Sequence, residues 1–235
     1  MDSIVIQKAQ VQVRVNSFVR SVYNWMAIGF GITGVVAYGV ANSPGVREIV
    51  FGAPLVFFGL IIAQLVMVFM ISARIQRMQA STATMLFIVY SALNGATLSS
   101  IFLAYAQSAI TSTFFVCAAT FTACSVYGWT TRRDLTTMGG FLTMGLIGIV
   151  IASVVNMFVQ SGAVSTIVSY VGVLVFVGLT AYDTQDIKNM ALSQPTDLDA
   201  GAVRKGAILG ALKLYLDFIN LFLMLLRIFG SGRDE

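Results

Sequence analysis

The chain has no histidine. That absence excludes proton transfer by imidazole and any metal site built on imidazole nitrogen. Cysteine is nearly as scarce: Cys117 and Cys124 lie seven positions apart in one apolar run. Two turns of helix hold them beyond disulfide reach, so both read as buried thiols. Charge is scarce too. Asp, Glu, Lys and Arg make up 10% of the 235 residues, against roughly 25% in soluble domains. The first 18 residues are polar and lack the apolar core of a cleaved signal peptide. The net charge of +4 comes from basic residues scattered between apolar runs, which argues against a nucleic-acid surface.

Apolar sequence fills the rest: 57% of the chain is hydrophobic, with a mean hydropathy of +0.86. A helix that crosses a bilayer needs about 20 apolar residues. The uncharged gap 21–46 holds one span and 49–73 a second. The gap 78–131 holds two, with a polar break at Ala106–Ser112, and 135–182 holds two more, with a break at Gln160–Ser165. A seventh runs from Gly206 to Phe229 in spite of Lys213, Asp217 and Arg227, because LeuPheLeuMetLeuLeu is too apolar to leave in water. The expected fold is therefore an all-α membrane protein of seven transmembrane helices. It divides into a polar segment 1–18, one membrane domain 19–230 and a tail 231–235.

Every loop is short except 186–205, where SerGlnProThrAsp signals a turn, so no extramembrane domain is expected. With the N-terminus in the cytoplasm, eleven of the fourteen Lys and Arg residues fall on the inner side. This is the bias that orients membrane proteins. Seven full spans then place the C-terminus outside; a re-entrant seventh segment would return it inside. Compact loops and the lack of a retention signal point to a bacterial inner membrane, and the bilayer is the first expected partner.

Two aspartates then stand out. Asp183 ends the apolar run ThrAlaTyrAsp, and Asp217 lies inside LysLeuTyrLeuAspPheIleAsn. An ionised carboxylate at membrane depth costs about 2.5–3.5 kcal/mol on insertion scales, so such residues usually face a partner or a water path. Asn220 follows Asp217 by three residues on the same helix face, and Arg74 and Arg77 mark the inner end of the second span. Two close carboxylates in a low dielectric share a proton and titrate as one unit. The cluster reads as a pH-sensitive latch, as a transient site for a hard cation such as Ca²⁺, or as a salt bridge that only fixes packing. Lys213, four residues before Asp217, would favour the ionised carboxylate.

These residues carry a family resemblance. AlaTyrAspThrGln at 181–185, the segment 210–227 around LeuTyrLeuAspPheIleAsnLeuPhe, and PheValArgSerValTyrAsnTrpMetAlaIleGlyPheGlyIleThrGly at 18–34 resemble the Bax inhibitor-1 family, the transmembrane Bax inhibitor motif proteins. The resemblance covers nearly the whole chain and looks like a bacterial-type member. It implies seven helices with the last one central, and a pH-sensitive Ca²⁺ leak gated by a di-aspartyl pair at Asp183 and Asp217. The arginine that bonds to the pair maps to Arg77, with Arg74 as the alternative. Lys213 departs from the small polar residue expected there. An acidic residue that some relatives carry in the second span is replaced nearby by Gln64, so an external latch from that position to Arg227 is not expected. The family also includes members read as regulators of a membrane protease or of a stress or death pathway, which gives the alternative function.

Other motifs weigh less. TyrAsp at 182–183 occurs in intramembrane aspartyl proteases, which pair two carboxylates as acid and base. Their second motif, GlyxGlyAsp, is LeuTyrLeuAsp here and no ProAlaLeu follows, so no enzyme is expected. Gly29, Gly31 and Gly34 spell GxGxxG without the strand that a dinucleotide site needs, and read as helix packing. Gly206 and Gly210 read the same way. Asn94 and Asn156 are expected mid-span, as interhelical glue ahead of lining a path.

Overall fold

A computed structural model describes residues 2–195 and 198–230, with side chains described from Val11 onward. The described residues are mostly helical, with no strand among them. The helices are α1 (Asp2–Asn42), α2 (Pro44–Phe51), α3 (Pro54–Arg74) with a 3₁₀ turn at Ile75–Arg77, α4 (Ala80–Leu98) and α5 (Ser100–Ala104). They continue with α6 (Gln107–Thr130), α7 (Thr136–Val159), α8 (Gly162–Ser193) and α9 (Ala200–Phe229). Seven segments are long and apolar enough to span a bilayer: Val11–Asn42, Pro54–Arg77, Ala80–Ala104, Gln107–Thr130, Thr136–Val159, Gly162–Ser193 and Ala200–Phe229. Lipid-ready side chains such as Leu55, Phe69, Phe141, Phe158 and Leu174 lie exposed along them. The tail 231–235 and the Thr196–Asp197 half of the expected turn lie outside the described residues.

Three expected boundaries move. The first helix does not wait for the apolar run but continues from the polar segment, since Lys8, Arg14 and Arg20 are good helix formers. The break expected between 46 and 49 is instead α2, with Pro44 at its first turn. The second span starts only at Pro54, also in a first-turn position. The long loop expected over 186–205 is mostly helix: α8 runs on to Ser193 and α9 begins at Ala200. Counting uncharged residues ends a span at the first charge, but Asp186 and Lys188 do not end a helix, and no Gly or Pro interrupts 184–193.

The chain forms two compact units. The first contains residues 1–104 and 189–215. There α1 and α4 pack side by side, with Gly29 letting the Phe87 ring and Ser91 approach. The Thr33 hydroxyl donates to the Ser91 carbonyl at 2.8 Å and shares a 2.6 Å hydrogen bond with the Tyr215 hydroxyl. Tyr215 is fully buried, stacked on Phe30 and edge-on to Phe87 and Tyr90. Packing should therefore matter more here than the hydrogen bond. Tyr215→Phe is expected to cost about 0.6 kcal/mol, the mean for side-chain hydrogen bonds in membrane bundles. Tyr215→Ala is expected to cost about 3–5 kcal/mol, as for other large-to-small core changes. Reversible unfolding in bicelles measures both, and equal losses would overturn the ranking.

The second unit contains residues 105–188 and 216–235. Small residues set its helix spacings. Along α7 and α8, Gly139 lies against the Tyr182 ring, Gly178 against Leu142 and Gly145 against Val175, an antiparallel ladder. Gly172 on α8 receives Met224 of α9, and Gly128 on α6 lies against the backbone of Ala181 on α8. The α7–α8 turn is made by Gln160 in the left-handed region, φ 53°, where a non-glycine residue is strained. Asn156 steadies it by accepting the Ser161 N–H at 2.9 Å.

Candidate functional site

The candidate residues divide between the units. Asp183, Asp217 and Asn220 belong to the second; Arg74, Arg77 and Lys213 belong to the first. In the second unit both aspartates sit on helices that pack against α6. One stripe of α6, at Cys117, Phe121, Ser125 and Gly128, makes these contacts at spacings of three and four. At its lower end the Cys117 thiol points to the Phe218 carbonyl, 3.7 Å away, and Phe121 meets the Phe218 ring edge-on at 5.4 Å. At its upper end the Thr184 hydroxyl donates to Ser125 at 3.4 Å, and Gly128 admits Ala181. The stripe thus grips the immediate chain neighbours of Asp217 and of Asp183.

Asp217 is buried, with 4% of its surface exposed, and Asp183 is half-buried. Burial at this depth is what makes an acidic residue costly and selects for function. Asn220 donates from Nδ2 to the Leu216 carbonyl at 2.8 Å, one turn back on its own helix. Lys213 is half-buried on α9. Arg77 lies in the 3₁₀ turn that closes the second span, Arg74 one turn before it, and both are exposed. The seventh span is an unbroken helix, and 72% of its apolar window is buried where no other span exceeds 39%. Of its polar residues, Asp217 is buried and Lys213 and Asn220 are half-buried, while Arg204 and Arg227 are exposed.

The C-terminal extension of α8 holds the α6–α7 turn, a role its sequence did not signal. Gln185 donates from Nε2 to the Arg133 carbonyl and accepts the Leu135 N–H at Oε1, both at 2.8 Å. Lys188 donates to the Trp129 carbonyl at 2.7 Å, with its ammonium 5.4 Å over the Trp129 ring. Within the turn, the Thr136 side chain and N–H bond to Asp134 and hold its carboxyl below the usual range. Asp183 thus stands two residues before a side chain clamped at both ends. Composition hides this, because a lone Gln just past an apolar run reads as solvent-facing.

Several motifs read differently in three dimensions. Gly29 serves close packing, but Gly31 and Gly34 face open space, so GxGxxG is not one packing motif here. Gly206 lies against Phe18. Asn94 bonds within its own helix, to the Tyr90 hydroxyl at 2.9 Å, rather than between helices. Asn156 is not mid-span but three residues from the end of α7. Cys117 is buried, Cys124 half-buried, and both are free thiols.

Comparison with known proteins agrees with the residues that suggested a family. A family model described as "Inhibitor of apoptosis-promoting Bax1" matches residues 15–234. Inner membrane protein YbhL of Escherichia coli strain K12 is 53% identical over 99% of this chain and 97% of its own length. A protein of Borreliella burgdorferi is 43% identical across the whole of both chains. A membrane protein of Streptococcus pyogenes serotype M1 is 40% identical over 95% of this chain and 96% of its own. With seven apolar helices and a match over nearly its full length, the chain is a multi-pass membrane protein that belongs to the Bax inhibitor-1 family.

Proposed function

We propose that this protein is a pH-sensitive Ca²⁺ leak channel gated by Asp183 and Asp217. The observation that carries the reading is a buried carboxylate on α9 and a half-buried one on α8, on helices that pack against one stripe of α6. The burial of α9 supports a central place for the last helix. Acidic groups along a narrow path favour cations. Ca²⁺ takes 6–8 oxygen ligands, and two carboxylates offer about four, so the ion keeps water and passes rather than stays. A proton shared by the pair is the closed state, and its loss opens the path. Arg77, or Arg74 one turn away, is the counter-charge in that cycle, and Lys213 biases it toward the ionised pair.

The Lys and Arg distribution supports a cytoplasmic N-terminus. The name of the Escherichia coli relative supports an inner-membrane home. The test is Ca²⁺ entry into proteoliposomes loaded with a fluorescent indicator, across pH 6 to 8. Flux above empty liposomes that falls as the pH is lowered is expected. Folded protein with no flux would overturn the channel and favour the other reading, a membrane protein that regulates a protease or stress pathway through helix contacts.

A further inference from the structure

Asp183 sits on α8 among residues that are each held by another element of the second unit. The Ala181 backbone lies against Gly128 of α6, and the Tyr182 ring against Gly139 of α7. Thr184 donates to Ser125 of α6 at 3.4 Å. Gln185 is 8% exposed and bridges the α6–α7 turn: its Nε2 donates to the Arg133 carbonyl and its Oε1 accepts the Leu135 N–H, both at 2.8 Å. Lys188 adds a 2.7 Å bond to the Trp129 carbonyl. At about 100° per residue, Gln185 leaves α8 roughly 200° around from Asp183, so the bridge and the carboxyl lie on opposite sides of one helix. A hold on one side sets the rotation of the other. A rotation of about 20° moves a group at the helix surface, about 5–6 Å from the axis, by about 2 Å.

The Gln185 bridge is the contact that polar chemistry makes specific. A carboxamide carries a donor and an acceptor on one planar group, and the carbonyl and N–H that the turn presents take both. Leu135 is buried, so without the bridge its N–H would need water. Water at this end of α8 favours the ionised form of a half-buried carboxyl. We propose that Gln185 is a positioning residue for the gate: it ties α8 to the α6–α7 turn, fixes where the Asp183 carboxyl stands and how much water reaches it, and so sets the pH at which that carboxyl loses its proton. The consequence for flux rests on the channel reading; the consequence for the carboxyl does not. The titratable groups on the elements around this end of α8 are Arg132, Arg133 and Asp134 on the turn, Asp186 and Lys188 on α8, and Asp217 on α9. Near its end α6 contributes Cys124 and Tyr127, and α7 has no titratable residue. Arg77 and Lys213, the cations of the channel reading, belong to the first unit. Gln185→Met exchanges one uncharged side chain for another of equal length, so none of these charges changes and a shifted titration reports position and hydration.

Infrared pH titration of the protonated-carboxyl band tests it, on the full chain in proteoliposomes from about pH 5 to 8. Asp183→Asn marks the component of the band that involves Asp183, and Ca²⁺ flux is measured on the same vesicles. Gln185→Met should lower the midpoint of that component by about half to one pH unit, because a looser helix lets water stabilise the ionised carboxyl. The flux midpoint should fall with it. Gln185→Asn, one methylene too short to keep both bonds, should do the same. A glutamine that only holds the fold together would lower the unfolding temperature of both variants and leave the midpoint in place. A midpoint unmoved or raised in the folded variants, or no Asp183 component in the wild type, would overturn the proposal. Absence of flux in the wild type would sink the channel reading alone, and the carboxyl band then decides the positioning role. If Gln185→Met does not fold, Gln185→Asn takes its place with the same outcomes.

Discussion

Asp217→Asn is expected to flatten the pH dependence of Ca²⁺ flux. For a gate set by one shared proton, open probability changes about threefold over the pH unit centred on the midpoint, and approaches about tenfold per unit only well below it. Asparagine keeps the size and polarity of the side chain but cannot ionise, so it separates charge from packing. Asp217 is 4% exposed, and the variant should fold at least as well as the wild type, since it removes an ionisable group from membrane depth. Flux in Asp217→Asn should vary less than about twofold across pH 6 to 8, and Asp183→Asn should do the same because the pair titrates as a unit. Flux and pH response retained in both variants would place the gate elsewhere, and the aspartates would then be structural. A variant flattened at Asp183 alone would argue against a shared proton and for a single titrating carboxylate.

Gly128→Val should have the largest effect on folding. A side chain at Gly128 would run into the Ala181 carbonyl oxygen, and the Ala181 Cα is only 3.1 Å from where its Cβ would stand. The obstacle is backbone, not the end of a flexible side chain, so α6 and α8 must separate. Overpacking inside a well-filled core costs about 1–3 kcal/mol even where side chains can adjust, and Val should exceed that range. Ala181 is two residues from Asp183, so the separation also displaces the candidate site. Gly31→Val is the control, with nothing within 4 Å of its position. Monodisperse yield and thermal unfolding in detergent check the pair, and equal behaviour would mean that the α6–α8 contact contributes little.

Sequence alone was enough for the class of fold, the number of spans and the two acidic residues worth testing. The reason is energetic: lipid demands long apolar helices and penalises charge, and both signals are local in the chain. It also carried the family, through AlaTyrAspThrGln and LeuTyrLeuAspPheIleAsnLeuPhe. Helix ends were less legible, because charge marks where lipid stops and not where a helix stops; α8 runs eleven residues past Tyr182. Only the tertiary structure decided that Gly29 packs while Gly31 and Gly34 do not, that one stripe of α6 holds the neighbours of both aspartates, and that Gln185 clamps a turn fifty residues away. The cavity at the start of α8 is of the same kind: Tyr105, Asn156, Ser165 and Arg227 line it from four segments, and no pattern within any one of them announces the others. Which faces of apolar helices meet depends on the fit of small residues between them, and that fit exists only once the helices are packed.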